Sequence, residues 1–166
     1  MTSTTQAARC WPTWSEWRTG FTGIPGDEVA RLAALSHAVY GTDGFDTSLL
    51  GLDERSTLGA IVGPEVEQLV YLYAACDRQQ TWAALGETKA VHDRWTGEVI
   101  RPDAGPLRRF VDLSIVNEVG VCEQSPEMRA KFGSALAKRF RTWRGLGSEA
   151  VLRDAEDVLG GTGALP

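Results

Sequence analysis

His37 and His92 are the two histidines in this 166-residue chain, so any acid–base scheme has at most two ordinary imidazoles to draw on. His37 stands in LSHAVYGTDGF, Leu35 to Phe45, at the end of an apolar helical pattern and just before a Tyr-Gly-Thr break. There one ring nitrogen can reach a cavity while the protein holds the other. Tyr40, three residues on, lies on nearly the same face and offers a phenol to the same place. Asp77 follows Tyr73 by one turn in a second apolar helix. A carboxylate on the core side must be paired, capped or functional to offset its desolvation, with Tyr73 and Arg78 as partners at hand. An aspartate whose pKa is raised by burial, beside a histidine, makes a proton-transfer pair. Asn117 and Glu118 form a third polar point, after LSIV in another apolar helix. Each also has a purely structural reading: a core histidine bonded to backbone, an internal Asp–Arg or Asp–Tyr contact, an interhelical amide, a carboxylate at the solvent boundary. His92, between Asp93 and Arg94, reads as a surface residue.

No phosphate-binding glycine loop, dinucleotide fingerprint, H-E-x-x-H, G-x-S-x-G or paired zinc cysteines occur in the sequence. A metal site here must lean on carboxylates. A net charge of -5 lacks the basic face that nucleic acid requires. The run KRFRTWR, Lys138 to Arg144, reads as a solvated helix face beside the acidic DAED of Asp154 to Asp157. Cys10, Cys76 and Cys122 form no C-x-x-C pair and cannot all be bridged, which favours a reduced, cytoplasmic protein. No apolar run has membrane-spanning length, and MTSTTQAARCW lacks the basic start and apolar core of a signal peptide.

The elements that must position these residues are mostly helices. One domain over residues 1–166 is expected, loose at 1–8 and 160–166. Trp11, Trp14 and Trp17 recur every three residues and share one side of a short helix. Asp27 caps a helix carrying Val29, Leu32, Ala33, Ser36 and Val39 inward, ended by Gly41. Asp53 caps a helix through Ile61. Pro64 opens a long helix to about Leu85, with Asp77 on its inner side. Thr96-Gly97 between short extended stretches predicts a hairpin or ribbon near residues 90–103. Pro106 opens a helix with Leu107, Phe110, Val111, Ser114 and Asn117 inward, and a final helical region after Pro126 carries Met128, Phe132, Leu136, Phe140 and Trp143.

Four pieces in order, LSHAVYGTDGF, VGPEVEQLVYLYAACDR, HDRWTGE and VDLSIVNEV, resemble a small helical branch of the HD-domain superfamily. The resemblance covers roughly Asp27 to Val121 and implies a mainly α, HD-like helical bundle. Metal-binding members hold one or two metals with histidines and aspartates from separate helices, commonly for phosphate-ester hydrolysis. By resemblance His37 takes the place of the histidine of the central His-Asp motif, and Asp77 that of the late aspartate. Ala38 stands where the central aspartate belongs, and no histidine precedes Asp27. A divalent metal on His37 and Asp77 then needs Glu118, Asp43 or another carboxylate to complete it. CWPTWSEW places indoles where related chains carry ligands. Packed across a pocket mouth, Trp11, Trp14 and Trp17 would shape an organic ligand; alternatively they close a shortened core.

Three functional classes follow. The first is a metal-independent small-molecule enzyme, of the kind found in secondary metabolism, using His37, Asp77 and Tyr40 for a cyclisation, isomerisation or elimination. Its aromatic pocket would draw on Trp11, Trp14, Trp17, Tyr73, Arg78, Asn117 and Glu118, with a small-molecule substrate, no bound cofactor, and no nucleic acid or membrane partner. The second is a metal-dependent hydrolase, and the third a binding or accessory protein. An exposed aromatic face at the N-terminus would also suit a homodimer contact.

Overall fold

The computed structural model describes residues 26–45 and 47–160. Among them the chain forms seven helices and one two-stranded antiparallel sheet, the mainly α architecture with a small hairpin expected from the sequence. The expected Trp11, Trp14 and Trp17 helix lies outside the described residues.

Helix α1, Glu28–Ser36, starts where Asp27 accepts a hydrogen bond from the Ala30 amide at 3.1 Å. It turns Ala30, Ala33 and Ala34 inward, while Val29, Leu32 and Val39 pack only at the edge of the core. A 3-10 turn, Leu52–Glu54, leads into α2, Arg55–Val62; Glu54, rather than Asp53, closes the turn by accepting from the Gly51 amide. Pro64 opens α3, Pro64–Ala75, at a position where its missing N–H is no loss.

The expected long helix from Pro64 to Leu85 is two helices. Cys76 and Asp77 are extended, and α4, Arg78–Thr88, begins afresh with Asp77 as its N-cap. The break is held by the hairpin, whose strands β1, Val91–His92, and β2, Val99–Ile100, pair Val91 with Ile100 and His92 with Val99. The Asp77 amide donates to the His92 carbonyl and the Arg94 amide to the Ala75 carbonyl, both at 2.8 Å. Arg94 Nε also donates to the Ala74 carbonyl, so the end of α3 is satisfied by the ribbon rather than by another helical turn. The ribbon's own turn is organised by Asp93, which accepts from the Trp95 and Thr96 amides.

Helix α5, Ala104–Gln124, runs through the core with Leu107, Phe110, Val111, Ser114 and Asn117 buried as expected. After Ser125, which caps it, comes α6, Pro126–Arg141. Its inner stripe is Gly133, Ala137 and Phe140; of the large residues expected in this region Phe140 and Trp143 are buried and Leu136 partly so, while Met128 and Phe132 stay 37% and 39% exposed. The reason is the last helix, α7, Glu149–Gly160, which contains the acidic run of Asp154 to Asp157. Val151, Ala155 and Leu159 repeat every four residues on its buried side. Gly133 lets Leu159 approach to 3.8 Å of where a Cβ would stand, so the small residues face α7 and the large ones turn away. Arg144 and Arg141 reach back to Glu156 at 2.6 and 3.8 Å, in keeping with the solvated basic face expected there. Trp143 is fully buried beyond α6, edge-on to Trp82 at 5.5 Å. Asp112, 2% exposed, accepts from the Ser148 amide and hydroxyl just before α7, and burial pushes its pKa up. Among the described residues no helix is long and apolar enough to cross a membrane.

Candidate functional site

The end of α1, the break between α3 and α4, and the middle of α5 meet around Arg78. Because Asp77 takes the N-cap position, Arg78 is the first residue of α4 and turns into the molecule. One guanidinium nitrogen donates to Glu118 Oε1 at 2.9 Å and the other to the Tyr73 hydroxyl at 2.8 Å. Its backbone amide donates to Asp43 Oδ2 at 2.9 Å, and its charge lies 5.0 Å from the centre of the Trp82 ring. Asn117 Nδ2 donates to the same Glu118 oxygen at 3.3 Å. Burial works against the Arg78 cation, and the fields of Tyr73 and Glu118 outweigh it, so its pKa rises. Tyr73 is fully inside, and burial drives its pKa up, so the phenol stays protonated.

His37 closes the group from the α1 side. Its ring stands edge-on to Tyr73, 5.5 Å between centres, and Nδ1 lies 2.7 Å from the Ala34 carbonyl. A carbonyl only accepts, so Nδ1 carries the proton and the lone pair of the neutral ring is on Nε2. Burial lowers the His37 pKa, the Ala34 bond acts the other way, and the charge of Arg78 adds to the lowering. The neutral imidazole is therefore the folded form near neutrality.

That shift has a sign that can be measured. The unfolded chain protonates His37 near the ordinary 6.5, before the folded chain does, so folding stability falls as the pH drops below that value. The urea midpoint of the native protein is expected to decline across this window more steeply than that of His37→Gln. Parallel declines would show that the imidazole is not held neutral.

Of the residues singled out from the sequence, His37, Tyr73, Arg78, Asn117 and Glu118 thus converge, and Asp77 and Tyr40 do not. Asp77 is not on the core side. Its oxygens accept from the Gln80 amide at 2.9 Å and the Gln80 side chain at 2.6 Å, and these bonds hold its pKa below the usual carboxylate value rather than raising it. Tyr73 pairs with Arg78, not with Asp77. Tyr40 donates to Glu67 Oε1 at 3.0 Å, within a separate buried cluster in which Arg55 grips Glu67 with two nitrogens and covers the Tyr71 ring at 3.7 Å. Burial, reinforced by Glu67, pushes the Tyr40 pKa up to about 12. That cluster, completed by Tyr71 donating to the 3% exposed Asp93, was missed. Its only sequence signal is Glu67 on the apolar side of α3.

A divalent metal on His37 and Asp77, completed by Glu118 or Asp43, does not fit these donors. Asp77 and Asp43 are occupied by the start of α4, Glu118 is occupied by Arg78, and a guanidinium stands among them. Among the described residues no three His, Cys, Asp or Glu side chains are grouped to hold a metal ion.

A family model described as a domain of unknown function, DUF6817, matches residues 22–78. The matched stretch carries His37, Asp43, Tyr73 and Arg78, and stops before the hairpin and Glu118. No curated protein and no solved structure matches the chain.

Proposed function

We propose that the domain is a small-molecule enzyme that moves a proton without a metal, with His37 as base and Arg78 as the cation that stabilises the anion formed. The observation carrying this reading is the His37 ring, its Nδ1 held by the Ala34 carbonyl, standing edge-on to Tyr73, whose hydroxyl accepts from the half-buried Arg78 guanidinium. Nε2 is the basic atom, and a fixed positive charge nearby favours removal of a proton from carbon over simple protonation of the ring. Proton abstraction next to a carbonyl is the step common to cyclisation, isomerisation and elimination. Tyr73 and Glu118 act on Arg78, holding it in place. Asp77 and Tyr40 leave the catalytic set, because both are committed to structural hydrogen bonds. The likeness to HD-domain proteins supports an architecture, and the chemistry is argued from the site. A cytoplasmic location agrees with the free, buried thiols of Cys76 and Cys122.

A non-catalytic binding protein is the second reading, favoured by the fact that Arg78 and Glu118 satisfy each other without a ligand. The two separate on the small molecule that co-purifies with the protein, identified by mass spectrometry and returned to fresh protein in deuterium oxide. Conversion, or deuterium entering a carbon position, lost in His37→Gln at unchanged melting temperature, is the expected result. A ligand recovered unchanged and without deuterium would leave the binding reading.

A further inference from the structure

Glu118 also lines a cleft of about 380 Å³ between α4, α5 and α6. Its walls are mostly apolar, with Trp82, Val121, Met128, Phe132 and Leu136 supplying the surface. The volume falls within the roughly 300–1,000 Å³ typical of small-molecule sites. Met128 and Phe132 are large side chains left 37% and 39% exposed because α7 takes the small-residue face of α6. Two charged residues line the cleft, Glu118 and Arg139. Glu118 is matched by Arg78. Arg139, half-buried, donates one guanidinium nitrogen to the Trp82 carbonyl at 3.1 Å and makes no ion pair among the described residues. Two other arginines of the basic run, Arg141 and Arg144, are both drawn to Glu156. In a chain with a net charge of -5, a half-buried guanidinium with no carboxylate partner among the described residues, at the edge of an apolar cleft, is the charge that a ligand could match.

We infer that this cleft binds a small monocarboxylate with an aromatic or branched apolar body. The body lies against Trp82, Phe132 and Leu136, and the carboxylate takes the guanidinium edge of Arg139 that Trp82 does not use. A planar guanidinium matches a carboxylate with two parallel bonds, and the aromatic walls give the body its contact area. A dianionic phosphate suits the cleft less well, because Glu118 shares its lining. The site does not contain His37, so the inference stands apart from the proton-transfer reading.

Three probes with one body and different charge test it: phenylbutyrate, phenylbutyramide and phenylbutylamine, titrated into the full chain and followed by amide and indole NMR shifts. Phenylbutyrate is expected to give saturable shifts centred on Trp82, Val121 and Leu136, and to bind roughly tenfold or more tightly than the amide, the range of a charged hydrogen bond. Arg139→Gln should remove that preference while leaving the weak amide affinity unchanged, and Arg139→Lys should restore part of it. Equal or tighter binding of the amide or the amine by the native chain would overturn the proposal, as would shifts outside the cleft or none up to the solubility limit. The native-chain comparison decides the matter even if Arg139→Gln does not fold.

Discussion

A Gly86→Ala variant is expected to be clearly less stable than the native protein, although alanine ordinarily favours a helix over glycine by about 1 kcal/mol. Gly86 lies inside α4, where that chain passes the end of α6. A Cβ there would stand 2.3 Å from the Thr142 carbonyl oxygen and 3.2 Å from its carbon. These are backbone atoms, so no side-chain rotation relieves the contact and one helix must move. Overpacking of this kind costs about 1–3 kcal/mol and sometimes more. A backbone contact puts the cost at the upper end of that range, about 3 kcal/mol, so with the propensity gain subtracted a net loss of about 2 kcal/mol is expected, a fall of roughly 5 °C in melting temperature for a domain of this size. Gly120→Ala is the control. Its Cβ would meet nothing within 4 Å in the middle of α5, so it should match or exceed the native melting point. A Gly86→Ala protein that melts with the control would show that the helices do not approach as described.

Removal of Glu118 should cost still more. In Glu118→Ala, Arg78 keeps the Tyr73 hydroxyl, its backbone bond to Asp43 and the Trp82 ring, and a largely buried guanidinium loses its counter-charge. Breaking one half of a buried ion pair costs about 3–5 kcal/mol. The lower end applies here, because the Arg78 side chain is 24% exposed and that of Glu118 17%. The double replacement Arg78→Met with Glu118→Leu should recover most of the loss, since no lone charge remains. A urea-unfolding cycle over the native protein, Arg78→Met, Glu118→Leu and the double variant measures the coupling directly. If the losses of the two single variants add up to that of the double variant, the pair carries little coupling and Arg78 is held by Tyr73, Trp82 and Asp43 instead. If the double variant exceeds the native stability, the pair is maintained against the interest of folding, which is the pattern expected of a working site.

Much of the helical order was legible because it rests on local chemistry. Asp27 is a side-chain cap, Pro64 and Pro126 open helices, and Thr96-Gly97 turns a hairpin. What the sequence hid was non-local. The residues from Pro64 to Thr88 form one nearly unbroken helical pattern, and the break at Cys76–Asp77 is fixed by carbonyl and amide groups of His92 and Arg94, far along the chain. Asp77 is itself a capping residue type, so a second helix start was readable there. Placing it on the inner face was an error of helical phase that followed from missing the break. The same break explains why Arg78, rather than Asp77, became the centre of the polar group. On α6, Met128 and Phe132 turned outward because Val151, Ala155 and Leu159 of α7 needed the small-residue face, and no feature of α6 alone records that demand. Tyr40 was misplaced for a similar reason: its partner, Glu67, lies 27 residues away.

The hairpin that fixes the α3–α4 break has two residues in each strand, and a ribbon of that size is marginal on its own. Yet its amides and carbonyls hold the angle at which α4 leaves α3, and with it the inward aim of Arg78. In native-state hydrogen exchange terms, the protection of the Asp77 and Arg94 amides sets an upper limit on how long the Arg78 group persists between openings. A substitution in the ribbon, well away from His37 and Glu118, would thus shorten the lifetime of the assembled site while leaving the helical core intact.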